Sequence, residues 1–372
     1  AAGRVRCLFA NGVHAGSPDR DTPTPVVAWT VTDRDLAGAV QVTASHNPPE
    51  YNGIKFMPGD GAPALPDVTD RLTAELKPPE SRPDSEWGAV EETDLVEPYL
   101  DHALSFVDTD LDGTTIAHDA MHGSGRGVTD DLLARAGATV SRLREERDPN
   151  FWGAAPEPTA EHLATLDREV ASGEATLGIA NDGDADRLAV VTPARGVVDP
   201  NLVFAVLYDH LLETDTGDVV RTVSTTALVY RIAEANGHAV HETPVGFKWI
   251  AEAMAEGALV GGEESGGFGI TAHLPNKDGV LVALVIAAAH RAEPLDDRLD
   301  RLRETHGGIV QDRRSVDCPD DRKTAALAEL EDELPASVAG AAIERVDRTD
   351  GFKLFLDDDS WLLIRPSGTE PK

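Results

Sequence analysis

Residues 177–192 read Leu177-Gly178-Ile179-Ala180-Asn181-Asp182-Gly183-Asp184-Ala185-Asp186-Arg187-Leu188-Ala189-Val190-Val191-Thr192. Two short apolar runs, 177–180 and 188–192, enclose a loop in which three aspartates alternate with small residues. Apolar runs of this length bounded by turn formers read as buried strands. The patterns predict helices over 128–136 and 161–172 before the pair, and over 200–213 after it. Short strands alternating with helices argue for α/β units with mainly parallel sheets.

Outward from this stretch the alternation continues. A strand is expected over 115–119, followed by a flexible turn at Gly123, Gly125 and Gly127. Downstream, strands are expected over 218–222, 239–242 and 259–261, with helices over 227–236, 247–256 and 278–291. Upstream, a short buried strand is expected over 39–43, helices over 66–77 and 96–107, and a turn-rich segment over 88–93. The last part differs. An acidic helix over 322–334 precedes strand-like stretches near 343–345, 351–356 and 360–364, which reads as an α+β unit with an antiparallel sheet. Four domains are therefore expected, 1–107, 108–200, 201–308 and 309–372, and a chain of 372 residues is too long for one ordinary core.

Composition narrows the class. The sequence has two cysteines, Cys7 and Cys318, far apart, so no disulfide framework is expected and a reducing cytoplasm is the simpler setting. The longest clean apolar run, 280–289, is half the length of a membrane span, and no signal-peptide pattern opens the chain. With 33 basic and 66 acidic residues the net charge is −33. Such a chain repels nucleic acid and anionic membranes. The acids are spread rather than blocked, which fits adaptation to high salt, where screening makes self-repulsion tolerable. Lysines number seven, and Lys55, Lys248, Lys277 and Lys372 sit beside chemically informative stretches.

Four stretches carry chemistry. In Thr43-Ala44-Ser45-His46-Asn47-Pro48, a strand runs into a loop that presents Ser45, with His46 and Lys55 near enough in sequence to handle a proton. Read alone, the stretch fits Ser45 better as an ordinary turn residue. Asp182, Asp184 and Asp186 offer oxygen ligands to a hard cation such as Mg²⁺ or Ca²⁺. An EF-hand is excluded, since its sixth position holds Arg187 instead of Gly and its twelfth holds Pro193. Arg187 suits a nearby phosphate oxygen. In Gly261-Gly262-Glu263-Glu264-Ser265-Gly266-Gly267, Glu263 and Ser265 can read adjacent hydroxyls, and a plain flexible turn is equally consistent. His273 and Lys277 add titratable groups nearby, and Gly246 with Lys248 opens a helix that favours anions. Last, Arg365-Pro366-Ser367-Gly368-Thr369 joins an arginine to a run of small residues that can cradle phosphate. No nucleotide-binding glycine motif is present.

These stretches resemble, in order, the phosphoserine, metal, sugar and phosphate loops of the α-D-phosphohexomutases. The resemblance spans nearly the whole chain. It implies a four-domain architecture: three similar α/β domains and a C-terminal antiparallel-sheet domain. It implies that Ser45 is phosphorylated and that Asp182, Asp184 and Asp186 hold one Mg²⁺ together with an oxygen on Ser45. Glu263 and Ser265 would read O3 and O4, and Arg365, Ser367, Gly368 and Thr369 would grip the distal phosphate, with Lys248, His273 and Arg187 as further substrate contacts. Lys55 is the first candidate to carry the proton, with His46 and Lys277 beside it. The implied reaction interconverts hexose 1-phosphate and hexose 6-phosphate through a hexose 1,6-bisphosphate. The Gly-Glu-Glu-Ser-Gly-Gly wording resembles glucose-preferring members, with mannose and glucosamine phosphates as alternatives. Sugar phosphates are then the partners, and the expected assembly is a monomer or homodimer. The family's Gly-Thr-x-Gly-x-Arg loop has no counterpart, so the chain is expected to begin inside the first domain and to end inside the fourth. Other classes remain: a Mg²⁺-dependent sugar phosphatase using Asp184 or Asp186 as nucleophile, or a non-catalytic sugar-phosphate binder.

Overall fold

The computed structural model describes residue 8 and residues 10–78 and 80–367. Residues 177–192 form the pair read from the sequence: β7 (Leu177–Asn181) and β8 (Leu188–Thr192) run antiparallel around the aspartate loop. Every residue of both strands is buried. Leu177, Ile179, Leu188 and Val190 point into the large central core, while Ala180, Ala189 and Val191 point into a second cluster with Leu166 and Val170. Burial on both faces is why the two runs are uniformly apolar.

The pair belongs to a five-stranded sheet, ordered β6-β5-β7-β8-β9, with β5 at Thr115–Asp119, β6 at Thr139–Leu143 and β9 at Gly196–Val197. Helices α4 (Thr129–Arg135) and α5 (Ala164–Ala171) pack on it. The sheet is mixed, not mainly parallel, because β8 and β9 return antiparallel. The next domain repeats the plan as β11-β10-β12-β13. There β10 (Val219–Thr222), β11 (Val240–Thr243) and β12 (Val260–Gly262) are parallel, and β13 (Phe268–Ile270) closes antiparallel. Its helices include α6 (Pro200–Leu211), α7 (Ala227–Ala235), α8 (Phe247–Met254) and α9 (Gly279–Ala292). Residues 279–289 of α9 are all buried, so the longest apolar run is a core helix. No helix of the described residues is long and apolar enough to cross a membrane.

The first domain departs furthest from expectation. Its strands form two separate pairs, β1 (Ala15–Pro18) with β4 (Val90–Thr93), parallel, and β2 (Gly38–Val42) with β3 (Ile54–Pro58), antiparallel. The expected buried strand near 39–43 exists as β2, but Val40 and Val42 face outward. The turn-rich segment at 88–93 contains β4. Helix α1 (Thr24–Asp33) was not legible, and α2 (Pro66–Ala74) and α3 (Val96–Phe106) follow. After α10 (Leu295–His306), residues 307–319 carry no helix or strand. The last domain packs α11 (Asp320–Asp332) on the antiparallel sheet β14-β15-β16-β17, with a short β14 (Ser337–Val338) and the longer β15 (Ala341–Asp347), β16 (Phe352–Leu356) and β17 (Trp361–Ile364). The molecule is thus three α/β domains followed by a C-terminal antiparallel-sheet domain.

Candidate active site

The informative loops follow strand ends, where α/β sheets place their sites. Ser45 lies three residues beyond β2, with φ 54°. A non-glycine residue in the left-handed region costs backbone energy and is kept where the surroundings enforce it. Here the Ser45 N–H donates to Thr43 Oγ1 at 2.8 Å. The loop also lies tight on Gly183, where a Cβ would sit 2.5 Å from the Ser45 carbonyl oxygen.

That geometry brings Ser45 Oγ to 2.8 Å from Asp182 Oδ2. Asp182, Asp184 and Asp186 are buried, and one carboxylate oxygen from each falls within 4.8 Å of the others. Lys55 reaches them because the β2–β3 register sets it opposite Gln41. Its Nζ lies 2.9 Å from Asp184 Oδ2 and 3.2 Å from Asp186 Oδ2. Thr24 and Thr43 also donate to Asp184 Oδ2, at 2.8 and 3.1 Å. Among the described residues, Asp184 Oδ1 and Asp186 Oδ1 remain buried without a hydrogen-bond partner. Orphaned acceptors of this kind demand a partner. Two of them, with Asp182 beside the serine, are a donor set that fits a hard divalent cation.

Electrostatics separates the groups. Burial, joined by the charges of Asp186 and Asp184, pushes Asp182 well above the usual carboxylate range. Burial acts on Asp186 the same way, but the cations of Lys277, Lys55 and Arg187 outweigh it and hold Asp186 low. Burial pulls Lys55 down, yet Asp186 and Asp184 outweigh it and hold the ammonium above the ordinary lysine range. His46, whose Nδ1 is 3.3 Å from Ser45 Oγ, is lowered to about 4 by burial and by Arg187 and Lys277. At neutral pH Lys55 is therefore charged and His46 neutral.

One lysine links the metal loop to the sugar loop. Lys277 Nζ lies 3.1 Å from Asp186 Oδ2 and 3.7 Å from Glu263 Oε1. Ser265 Oγ donates to Glu263 Oε1 at 2.7 Å. A Cβ on Gly267 would lie 2.3 Å from Lys277 Cδ, so a larger residue there would displace the lysine side chain. Arg187 and Gly267 form an antiparallel bridge, and the Leu188 N–H donates to the Gly266 carbonyl at 2.9 Å. Arg187 Nη1 also faces Glu157 at 3.9 Å.

The last domain arrives through Asp350. Its Oδ2 accepts from Arg365 Nε at 3.0 Å and from the Val245 N–H at 2.9 Å, the latter in the loop that leads to Lys248. Lys248 Nζ sits 5.2 Å from the Trp249 ring centroid. The Ser367 carbonyl accepts from Lys323 at 2.7 Å. Gly368 and Thr369 lie outside the described residues. A pocket of about 420 Å³ opens beside Ser45, between its loop and residues 147–151.

The structure thus brings together Ser45, His46, Lys55, the three aspartates, Arg187, Lys277, Glu263 and Ser265, and sets Arg365 beside the loop leading to Lys248. It does not bring His273 among them. The His273 side chain is fully buried behind the site, with one ring nitrogen on Asp278 and the other on His102. Sequence reasoning missed Thr24, Asp350 and the structural use of Thr43. Thr24 and Asp350 lie in no recognisable motif, and Thr43 stood inside the quoted serine stretch.

Family models for phosphoglucomutase/phosphomannomutase α/β/α domains I, II and III match residues 3–82, 97–196 and 199–306. The chain belongs to the phosphohexomutase family. A relative from Methanopyrus kandleri that carries the name phosphoglucosamine mutase is 33% identical over 94% of this chain and 76% of its own. One from Thermococcus kodakarensis, named phosphoglucomutase/phosphomannomutase, is 31% identical with the same coverage. A crystal structure from Thermus thermophilus, titled as a phosphomannomutase, superposes with a TM-score of 0.84 at 31% identity, over 98% of this chain and 82% of that one. This phosphohexomutase therefore spans about three quarters of the length of the relatives it matches.

Proposed function

We propose that this phosphohexomutase moves a phosphoryl group between O1 and O6 of a hexose phosphate, with Ser45 as the carrier. The observation that carries the reading is Ser45 Oγ at 2.8 Å from Asp182, inside a buried triad whose Asp184 and Asp186 keep unpartnered oxygens. Asp182, Asp184 and Asp186 would hold Mg²⁺ with an oxygen on Ser45, and the cation would neutralise charge on the migrating phosphoryl group.

The residues supply the rest. In one half-reaction a sugar hydroxyl attacks phosphorus on phospho-Ser45; the new O–P bond forms as the serine O–P bond breaks, the hydroxyl proton passes to the lysine amine and the serine oxygen takes one from the His46 imidazolium that the other half-reaction leaves behind. In the other, the Ser45 hydroxyl attacks the second phosphate of the bisphosphate, and neutral His46 is set to take the serine proton. The departing sugar oxygen takes a proton from a neighbouring ammonium, Lys55 or Lys277. Glu263 and Ser265 read the hydroxyls, and Arg365 with Ser367, Gly368, Thr369 and Lys248 grips the phosphate that does not react. The phosphatase reading is less favoured, because Asp184 Oδ2 and Asp186 Oδ2 are committed to Thr24, Thr43, Lys55 and Lys277, and the Oδ1 atoms are the ones that would hold the cation.

The sugar is the finer question. The loop wording favoured glucose, whereas the relatives above carry names for glucosamine and mannose phosphates, one of them together with glucose phosphate. We infer a preference for glucosamine or mannose phosphate over glucose phosphate. A coupled assay in molar KCl with the three 1-phosphates tests it. Turnover of glucosamine or mannose phosphate above glucose phosphate is expected; a glucose optimum would reverse the inference, and no turnover of any would remove the mutase reading.

A further inference from the structure

Four side chains behind Lys277 take no part in the chemistry above. Asp278 follows Lys277 and opens α9. Its Oδ1 accepts from the backbone N–H groups of Val280 and Leu281, at 2.9 and 2.8 Å, capping the helix. Its Oδ2 accepts from the Tyr99 hydroxyl at 2.7 Å and faces His273 Nε2 at 2.8 Å. His273 Nδ1 in turn faces His102 Nε2 at 2.9 Å. Tyr99 and His102 lie on α3, far from Asp278 in the chain, and Tyr99, His273 and Asp278 have fully buried side chains.

The order of protons follows from the acceptors. An ionised Asp278 can only accept, so His273 presents Nε2–H to it. With Nε2–H directed at Asp278, Nδ1 is left to accept from His102 Nε2. The two rings lie edge to edge and nearly coplanar, with centroids 5.1 Å apart and planes 24° from parallel, and Trp29 covers His102 at 5.0 Å. A helix cap needs only Oδ1. The second oxygen and the two histidines tie the start of α9 to α3 of the first domain.

Lys277 is the residue held between. Its N–H donates to Asn276 Oδ1, Asn276 Nδ2 donates to the Gly61 carbonyl, and the Asp278 N–H donates to Phe268. We propose that the chain Tyr99–Asp278–His273–His102 is a positioning device for Lys277, which keeps its ammonium between Asp186 and Glu263. The inference deepens the catalytic reading of the Ser45 cluster and rests on it. Tyr99, Asp278, His273 and His102 are positioning residues; none touches the reacting atoms.

The test is trace acetylation of the full chain, with each lysine's rate read by peptide mass spectrometry. Tyr99→Phe removes one hydroxyl and keeps the ring on Trp29. Lys277 should then acetylate about tenfold faster relative to Lys77, as expected for loss of one hydrogen bond to a charged group, while Lys55 keeps its rate. In assays kcat should fall with KM nearly unchanged. His102→Leu should act in the same direction, and His102→Gln, which keeps an N–H donor, should restore the native Lys277 rate. An unchanged Lys277 rate in both Tyr99→Phe and His102→Leu overturns the proposal, as does an equal rise at Lys55, which would report a loosened fold. Because the labelling does not depend on turnover, failure of the Ser45 reading would show separately, as activity retained in Ser45→Ala.

Discussion

Gly183 is the residue on which the serine loop rests. A Cβ there would meet the Ser45 carbonyl at 2.5 Å and Pro156 Cγ at 2.9 Å, both of them atoms with little freedom to yield. Gly183→Ala should therefore cost about 1–3 kcal/mol, the range for overpacking, and should displace Ser45 from Asp182. Urea unfolding and turnover measured on the same sample check this; a variant as stable and as active as the parent would show that the contact is soft. Asp186 carries a different expectation. It partners both Lys55 and Lys277 and has an unpartnered Oδ1. Asp186→Asn should weaken Mg²⁺ binding, measured by titration calorimetry, by at least about tenfold, since hard cations select charged oxygens. At this scale the sequence was most informative where chemistry sits in one contiguous loop. The aspartates stood out because three carboxylates alternate with small residues in one loop, whereas Ser45 drew its weight from them, from Arg365 and from the resemblance. Thr24 did not, because it reaches Asp184 across 160 residues and its Thr-Pro setting carries no chemical signal of its own. His273 misled for the opposite reason: it lies near Lys277 in sequence, but its ring turns away into the core.

Among the elements, the alternation of strand and helix was legible in the second and third domains because their strands are buried on both faces. Helix α1 was not. Thr24–Val31 is rich in Val and Thr, which favour strands when read locally. Burial of all eight of those residues overrides that preference, and Pro25 near the N-terminus suits a helix start. Strand β2 was found but its face was misjudged, since a two-stranded ribbon covers one side only. Helix α9 offers a direct packing test. Leu284 is fully buried in the central cluster, so Leu284→Ala should cost about 2–5 kcal/mol, read from the urea midpoint; a loss below about 0.5 kcal/mol would contradict its central place. Strand β5 supplies a pH test. Burial holds His118 below its usual pKa, with Asn181 at 3.2 Å. The unfolded chain then binds more protons than the folded one below about pH 6.5, so stability falls as pH falls through that range. His118→Gln should flatten the slope of Tm against pH there; an unchanged slope would assign it to other groups.

Over the whole molecule, charge is the dominant feature. With a net charge of −33, the folded chain repels itself, and screening should relieve this. The unfolding midpoint should rise steadily from low to molar KCl, and a fall would count against the high-salt reading. The last domain joins the third through charged contacts: Lys353, buried, meets Glu242 at 2.8 Å, and Arg221 meets the same carboxylate at 2.6 Å. The four-part architecture was readable because each unit repeats its own rhythm. The exact pairing was not, since the mixed order of the sheets depends on which strand edges meet in space.

Phosphoryl transfer in this site depends first on Ser45 as the carrier. Intact-protein and peptide mass spectrometry before and after mixing with a hexose monophosphate measures it most directly. Phosphate on Ser45 that leaves the protein and appears as hexose bisphosphate is the predicted result. Turnover by a chain whose Ser45 is never phosphorylated, or by Ser45→Ala, would contradict it.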